Sequence, residues 1–344
     1  MVLLLIIADD FTGALDTGVQ FTARGIQTQV VVNPDVDFAA HDTTVLVVDT
    51  ETRHLPAEQA YKIVSRLTDR ARQSGVRYIY KKTDSALRGN IGAELSAALK
   101  ASGEKQLFFV PAFPQIGRVT KEGIHYISQV PVAESPFGQD PFEPVRYSEV
   151  TELIASQCDL PAVSLPALSG QESIPEDKQI LVFDAESTDD LYSTGRQLAS
   201  QGRLGVLAGC AGFAAVLPEI LGIDSGHPVS VPKLDPRLLV ICGSVNPITT
   251  AQLDYAEQRG FRRLRLTPEQ KLEPNYWQTQ EARDLLVSIE EMLTENSRCI
   301  IETNDEGGNQ PTADYASALG IDLDTLRVRI AGSLGQLVKG IFSS

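Results

Sequence analysis

Short apolar, β-prone runs recur along the chain with helix-like stretches between many of them. That alternation constrains the fold more than any other feature. The runs are Val2–Ile7, Thr28–Val32, Val45–Val48, Tyr78–Tyr80, Leu107–Val110, Ile180–Phe183, Leu204–Leu207, Leu238–Cys242, Leu264–Leu266 and Cys299–Ile301. Helical patterns cover Ala14–Arg24, Ala57–Gln73, Ile91–Lys100, Asp189–Ser200, Thr249–Arg259 and Ala282–Asn296, with Gly260 as a stop signal after the fifth. Strands alternating with helices imply βαβ units, hence an α/β fold with mostly parallel sheets flanked by helices. The opening run Met1–Ile7 is apolar enough for a signal peptide but lacks a basic start and meets two aspartates almost at once. It is too short to span a bilayer and reads as a buried parallel strand.

At 344 residues the chain is long enough for two domains. Two Gly and three Pro with polar residues mark a linker at about 222–236, between domains expected at 1–228 and 237–344. The stretch Thr120–Ser148, with Pro131, Pro136, Pro141 and Pro144, breaks the alternation. It reads either as a functional loop or lid or as a surface excursion packed on itself.

The net charge of −15 argues against nucleic acid or an anionic membrane as partner, since both require a basic face. Cys158, Cys210, Cys242 and Cys299 show no metal-ligand spacing, nor do His41, His54, His125 and His227. No protein-only metal site is expected, and a reduced, cytoplasmic compartment fits best.

Two segments at strand ends carry the chemistry. The first is Ala8-Asp9-Asp10-Phe11-Thr12-Gly13-Ala14. Asp9 or Asp10 could take a proton from a substrate hydroxyl, and Thr12 and Gly13 open a helix whose N–H groups favour an anion. Alternatively, Asp10 or Thr12 merely caps the helix, which leaves the other acid unexplained. The second is Lys81-Lys82-Thr83-Asp84-Ser85-Ala86-Leu87-Arg88-Gly89-Asn90. Arg88 could grip a carboxylate with two parallel hydrogen bonds, or pair with Asp84 in a solvated turn. Arg118 and Lys121, after the rigid Pro111–Pro114 turn, could add to the same anion site. In the second half Gly243-Ser244-Val245-Asn246-Pro247-Ile248-Thr249-Thr250 follows a strand. It suits phosphate contact through backbone N–H groups, or is a turn capped by Thr249 or Thr250.

These segments resemble the four-carbon acid sugar kinase family. The matching stretches are 8–14, 81–90, Pro-Ala-Phe-Pro-Gln-Ile-Gly-Arg at 111–118, Asp140-Pro141 with Pro144-Val145, Val182-Phe183-Asp184-Ala185, Ala208–Gly212, and Gly243-Ser244 with Pro247, Thr249 and Gln252. The resemblance implies ATP-dependent phosphorylation of the 4-hydroxyl of threonate, erythronate or 3-oxo-tetronate, with Mg²⁺ arriving on the nucleotide. It implies an N-terminal sugar-acid domain and a C-terminal nucleotide domain. A homodimer is one quaternary state to expect, though the sequence does not give it. Carried over, Asp9, Asp10 and Arg88 are catalytic. Thr12, Gly13, Lys81, Lys82, Asp84, Ser85, Gly89, Asn90 and Arg118 bind substrate, and Gly243, Ser244 and Thr249 touch the nucleotide. Family members also carry a Gly-Gly-Asp-Thr loop and a Thr-Lys-Ser-Gly-Gly-Phe-Gly segment, and neither occurs in this sequence. The alternative expectation is therefore a truncated, catalytically impaired sugar-acid binder with weak ATP affinity. A nicotinamide dehydrogenase is disfavoured, because no strand-linked GxGxxG is present.

Overall fold

The computed structural model describes residues 1–140, 144–168, 174–177, 179–223, 233 and 235–343. The chain divides into two compact units, Met1–Ser230 and Val231–Ser344. Most of the expected linker at 222–236 lies outside the described residues, as does Pro141.

The first unit is built on eight strands: β1 (Leu4–Ala8), β2 (Thr28–Val31), β3 (Val45–Asp49), β4 (Tyr78–Lys82), β5 (Leu107–Val110), β9 (Ala162–Leu165), β10 (Ile180–Phe183) and β11 (Val206–Gly209). They lie in the order β2-β3-β1-β4-β11-β5-β10-β9, and every neighbouring pair is parallel. All five residues of β1 are buried. Helices cover both faces of such a sheet, so its central strands are continuous apolar runs rather than alternating ones.

On one face lie α2 (Ala57–Gln73), α3 (Ile91–Ser102) and α4 (Val150–Ala155). In α2 the buried residues are Ala60, Val64, Leu67, Thr68 and Ala71, one stripe at helical spacing that packs on α3. Gly103, at φ 75°, ends α3 in the left-handed region. The other face carries α1 (Phe11–Thr22), α5 (Thr188–Ser200), α6 (Ala211–Ala214) and α7 (Leu217–Ile220). The chain thus leaves β1 through a helix on one face and leaves the adjacent β4 through a helix on the other. Where connections of neighbouring parallel strands diverge, a crevice opens at their carboxyl ends.

In the second unit β12 (Leu238–Cys242), β14 (Arg298–Glu302) and β13 (Arg262–Arg265) form a parallel sheet in the order β12-β14-β13. Around it lie α8 (Pro247–Gln258), α9 (Pro268–Leu272), α10 (Gln280–Glu295), α11 (Gln310–Ala318) and α12 (Leu323–Ser343). Leu266, Ile289, Ile301 and Leu337 form its main core. Among the described residues no helix is long and apolar enough to cross a membrane.

The reading of Thr120–Ser148 as irregular is corrected. It begins with an antiparallel sheet of β6 (Arg118–Lys121), β7 (Ile124–Ile127) and β8 (Val130–Pro131). Glu122 and Gly123, at φ 50° and 77°, make the two-residue turn between β6 and β7. Two positive-φ residues match the twist of a hairpin. Two short 3₁₀ turns follow, Val132–Glu134 and Pro136–Gln139.

Candidate active site

The parallel register sets Ala8 beside both Asp49 and Lys82, and Lys82 beside Gly209. The segments leaving β1, β3 and β4 therefore start level, and their first side chains meet. At their centre is Arg53, which the sequence pattern alone does not single out. Its Nε donates to Asp9 Oδ2 at 2.7 Å, and its Nη2 lies 2.7 Å from Asp10 Oδ1 and 3.8 Å from Asp84 Oδ1. Burial works against its charge, and the carboxylates of Asp9, Asp84 and Asp10 more than restore it.

Asp9 and Asp10 have different environments. The Asp9 side chain is 2% exposed and that of Asp10 is 21% exposed, so only Asp10 opens toward a ligand. Burial pushes the Asp9 carboxyl up, but the charges of Lys81, Lys82 and Arg53 outweigh it and hold the group below its ordinary value. Asp9 Oδ1 is buried with no hydrogen-bond partner. Asp10 caps α1, its Oδ1 accepting from Gly13 N at 3.0 Å, so capping and a second, buried acid coexist. Thr12 is exposed on the first turn of α1. Lys82 Nζ lies 3.9 Å from Asp9 Oδ1 and 3.8 Å from Asp10 Oδ1. These separations are too long for hydrogen bonds and leave its donors for a ligand. Gly13 faces this ammonium so closely that a Cβ would collide with it.

Lys81 is corrected. Strand alternation turns it to the opposite face, fully buried, where Nζ pairs with Glu94 Oε2 at 2.9 Å and donates to the carbonyls of Ile7 and Lys82. It anchors β1, β4 and α3 and does not reach the crevice. Asn90 lines the cavity beside the loop, and its Nδ2 donates to the carbonyls of Thr52 and Leu55, tying the two loops together.

Asp84 and Arg88 do pair, though not in a solvated turn. Arg88 Nε and Nη2 reach Asp84 Oδ2 and Oδ1 at 2.8 and 3.1 Å, and Asp84 is buried. Burial raises the Asp84 carboxyl, but the Arg88 hydrogen bond and the charges of Arg88, Arg53 and Lys82 drive it well below the ordinary range. The expected two-point grip of Arg88 on a substrate carboxylate is thus corrected, because that edge of the guanidinium is taken by Asp84. Gly89, at φ 86°, lets the loop press on Arg53, where an added Cβ would lie 3.0 Å from Arg53 Cγ.

Ser85 joins the loop to the hairpin. Its hydroxyl accepts from Arg118 Nη1, and its carbonyl contacts His125 Nε2 at 2.9 Å. The opposite ring nitrogen of His125 is 3.0 Å from Thr120 Oγ1. Burial pushes the His125 imidazole down to about 4, so it stays neutral and can donate from Nε2 while accepting at Nδ1. Lys121 is exposed and pairs with Glu186, away from this cluster. Beside the loop lies a cavity of about 320 Å³, whose lining includes Arg53, Arg88, Asn90, Arg146 and Gln157.

Asp49 is a further acid that the sequence pattern does not single out. Burial, with the neighbouring Glu51 and Asp10 carboxylates, raises it to about 7, although Glu51 N–H donates to it. A carboxyl raised on folding holds a proton that the unfolded chain has already released. Its stabilising contribution is complete below pH 4 and is lost as pH climbs to about 7. Asp49→Asn is therefore expected to melt above wild type at pH 8, with the gap closing toward pH 4. A constant difference across thermal melts at several pH values would contradict this.

In the second unit the candidate nucleotide turn follows β12, and Gly243, Ser244, Val245 and Asn246 are exposed. The cap of α8 is corrected to Asn246, whose side chain accepts from Ile248 N at 2.9 Å, with Pro247 at the first helical position. Ser244 Oγ lies 3.3 Å from Thr249 Oγ1. Asn304, beyond β14, holds this turn by donating to the Ser244 carbonyl at 2.9 Å and to Glu302 at 3.1 Å. Among the described residues no group of three or more His, Cys, Asp or Glu could hold a metal ion.

A sugar-binding N-terminal domain model matches residues 4–217, and a nucleotide-binding C-terminal domain model matches residues 239–344. A D-threonate kinase of Salmonella typhimurium is 35% identical over 75% of this chain and 61% of its own length. A D-threonate kinase of Bordetella bronchiseptica is 33% identical over 79% and 66%, respectively. A D-erythronate kinase of Heliobacterium modesticaldum is 25% identical over 98% and 79%. The chain thus spans less than two thirds of the length of the first two relatives. A solved domain of unknown function from Bordetella bronchiseptica, a domain-swapped dimer with bound citrate, is 29% identical with a TM-score of 0.57, covering 97% of this chain and 79% of that one. A Haemophilus influenzae structure at 19% identity shares the fold, with a TM-score of 0.69 over 98% and 83% of the two chains. The nucleotide-binding match over 239–344 gives the impaired-binder alternative no support. With both domain models matched in order, the chain belongs to the four-carbon acid sugar kinase family.

Proposed function

We propose that this chain transfers the γ-phosphoryl group of ATP to the 4-hydroxyl of a four-carbon sugar acid: threonate, erythronate or 3-oxo-tetronate. The observation that carries this reading is the Arg53-centred cluster at the β1/β4 switch point. There the ammonium of Lys82 lies 3.8 Å from the partly open Asp10. The kinase names of the relatives support both the acid and the nucleotide.

In this reading the substrate hydroxyl gives its proton to Asp10 as its oxygen bonds to the γ-phosphorus, and the bond from phosphorus to the ADP oxygen breaks. Lys82 neutralises charge on the transferring group. Arg53 holds Asp10 in place through the 2.7 Å contact to its Oδ1. Thr12, Gly13, Ser85, Gly89 and Arg118 shape the sugar-acid side, and Arg88 holds the loop through Asp84 with its other donors left for the sugar acid. Gly243, Ser244 and Thr249 receive the nucleotide, whose Mg²⁺ is held mainly by phosphates and water. The location is the cytoplasm. A homodimer belongs to the same reading, since the Bordetella structure is a domain-swapped dimer.

The test is ADP release with ATP, Mg²⁺ and each of the three acids in turn, with the product identified by phosphorus NMR. Acid-dependent release with at least one is expected. No turnover with any of them would sink the proposal.

A further inference from the structure

The excursion between β5 and α4 meets the 81–90 loop at one aromatic ring as well as at Ser85. The guanidinium carbon of Arg88 lies 5.2 Å from the centroid of Phe137, and that of Arg118 also lies 5.2 Å from it. Both are within reach of the ring's negative π-face. Phe137 is half-buried and packs against the core that also holds α2 and α3. Its backbone is fixed as well: Phe137 N donates to Ser135 Oγ at 3.2 Å, and its carbonyl accepts from Val145 N at 3.0 Å. The ring is therefore a fixed platform, while the two arginines are long side chains with several rotatable bonds.

Both arginines are anchored on the loop. Arg88 is held by Asp84, and Arg118 by the Ser85 hydroxyl. The one-point contact to Ser85 lets the Arg118 guanidinium pivot, and the two-point Asp84 grip fixes only one edge of Arg88. A ring beneath the plane removes that freedom and leaves the unused N–H donors of both arginines aimed in fixed directions. Two cations held near one ring would also repel each other, and the π-face offsets part of that cost.

We propose that Phe137 is a positioning residue for the sugar-acid site, holding Arg88 and Arg118 together so that their remaining donors converge on the substrate's carboxylate. This rests on the function proposed above. It also accounts for the Thr120–Ser148 excursion, which presents the ring that orders two substrate-facing cations.

The experiment compares wild type, Phe137→Leu and Phe137→Tyr in the full chain. Leucine keeps apolar bulk and loses the π-face, whereas tyrosine keeps both. Calorimetry gives Kd for threonate, erythronate and 3-oxo-tetronate, and separately for ATP; steady-state assays give KM and kcat. Loss of two cation–π contacts is expected to raise Kd and KM for the acid about tenfold in Phe137→Leu, with ATP affinity and kcat within about twofold. Phe137→Tyr is expected to stay within about twofold of wild type. If wild type binds an acid and Phe137→Leu binds it equally well, this proposal fails alone. A fall in ATP affinity and melting temperature matching the loss of acid affinity would also overturn it, by showing a merely structural role. If wild type binds none of the three acids, the functional reading fails and this proposal falls with it.

Discussion

Arg53→Met is expected to destabilise the first unit by about 3–5 kcal/mol, the largest stability effect of any single change at this site. The side chain is 7% exposed and faces three carboxylates at 2.7, 2.7 and 3.8 Å. Methionine fills a similar volume, so the loss is electrostatic rather than a cavity. What remains is a buried Asp9 with no cation in hydrogen-bond range, only the charges of Lys81 and of Lys82, whose ammonium is 3.9 Å away, and an undercompensated buried charge is far more costly than an absent pair. The pH dependence separates this from loss of packing. Asp9 is held below its ordinary value in the folded wild type, so its contribution is present above the unfolded value of 3.8 and disappears as pH falls below it. Without Arg53 the carboxyl moves upward and takes up a proton, so the deficit should shrink between pH 7 and pH 5. Arg53→Lys should fall between the two, because one ammonium cannot span Asp9 and Asp10 as the fork does. Urea unfolding followed at both pH values would decide it. A loss under about 1 kcal/mol would mean the acids find other partners.

The fold was legible wherever local pattern and tertiary burial agree. The central strands are apolar because both faces are covered, and their runs read directly. Ala57–Gln73 appears in the structure with the same bounds, because its buried stripe repeats at helical spacing. Strand β9 was missed, and all its residues are only half-buried, so its pattern is weak. Strand β13, Arg-Arg-Leu-Arg, begins two residues before the expected run and ends one before it, because Arg263 and Arg265 are neutralised by Glu302, Asp254 and Glu257, which only the folded chain brings near. The hairpin after β5 was hidden by the prolines that follow it. Its signal was present in the alternation of Arg118–Lys121 and in the Glu122-Gly123 turn.

At the site, the two motif loops identified most of the residues that meet. They could not identify Arg53 or Asp49, which arrive on a third strand end whose Asp-Thr-Glu-Thr-Arg stretch looks like an ordinary polar loop. The cue available was topological: β3 is also a run buried throughout, so its carboxyl end belongs in the same crevice. Nor could the sequence tell Lys81 from Lys82. Adjacent strand residues point to opposite faces, and which face holds the crevice is set by the helices that cover each side.

Asp10→Asn is expected to lower kcat by about 10²–10⁴-fold, the largest effect on activity, if Asp10 is the base. The substitution isolates the chemistry. Asparagine caps a helix about as well as aspartate, so acceptance from Gly13 N and the start of α1 should survive. Its amide oxygen can still accept from Arg53. What is lost is the capacity to take a proton, so KM for the acid should move little while kcat falls. Asp9→Asn is the necessary comparison, since Asp9 Oδ1 is the neighbouring carboxylate oxygen with no hydrogen-bond partner. Asp9 is almost fully enclosed and its proton affinity is depressed by three cations, which makes it the poorer acceptor. Its replacement removes one wall of the Arg53 cluster, so the main loss should appear in unfolding experiments. A kcat that stays within about tenfold of wild type in Asp10→Asn would refute its role as base. If the large fall appears in Asp9→Asn instead, the proton passes to the inner acid, and Asp10 becomes the residue that caps α1 and holds Arg53 in place.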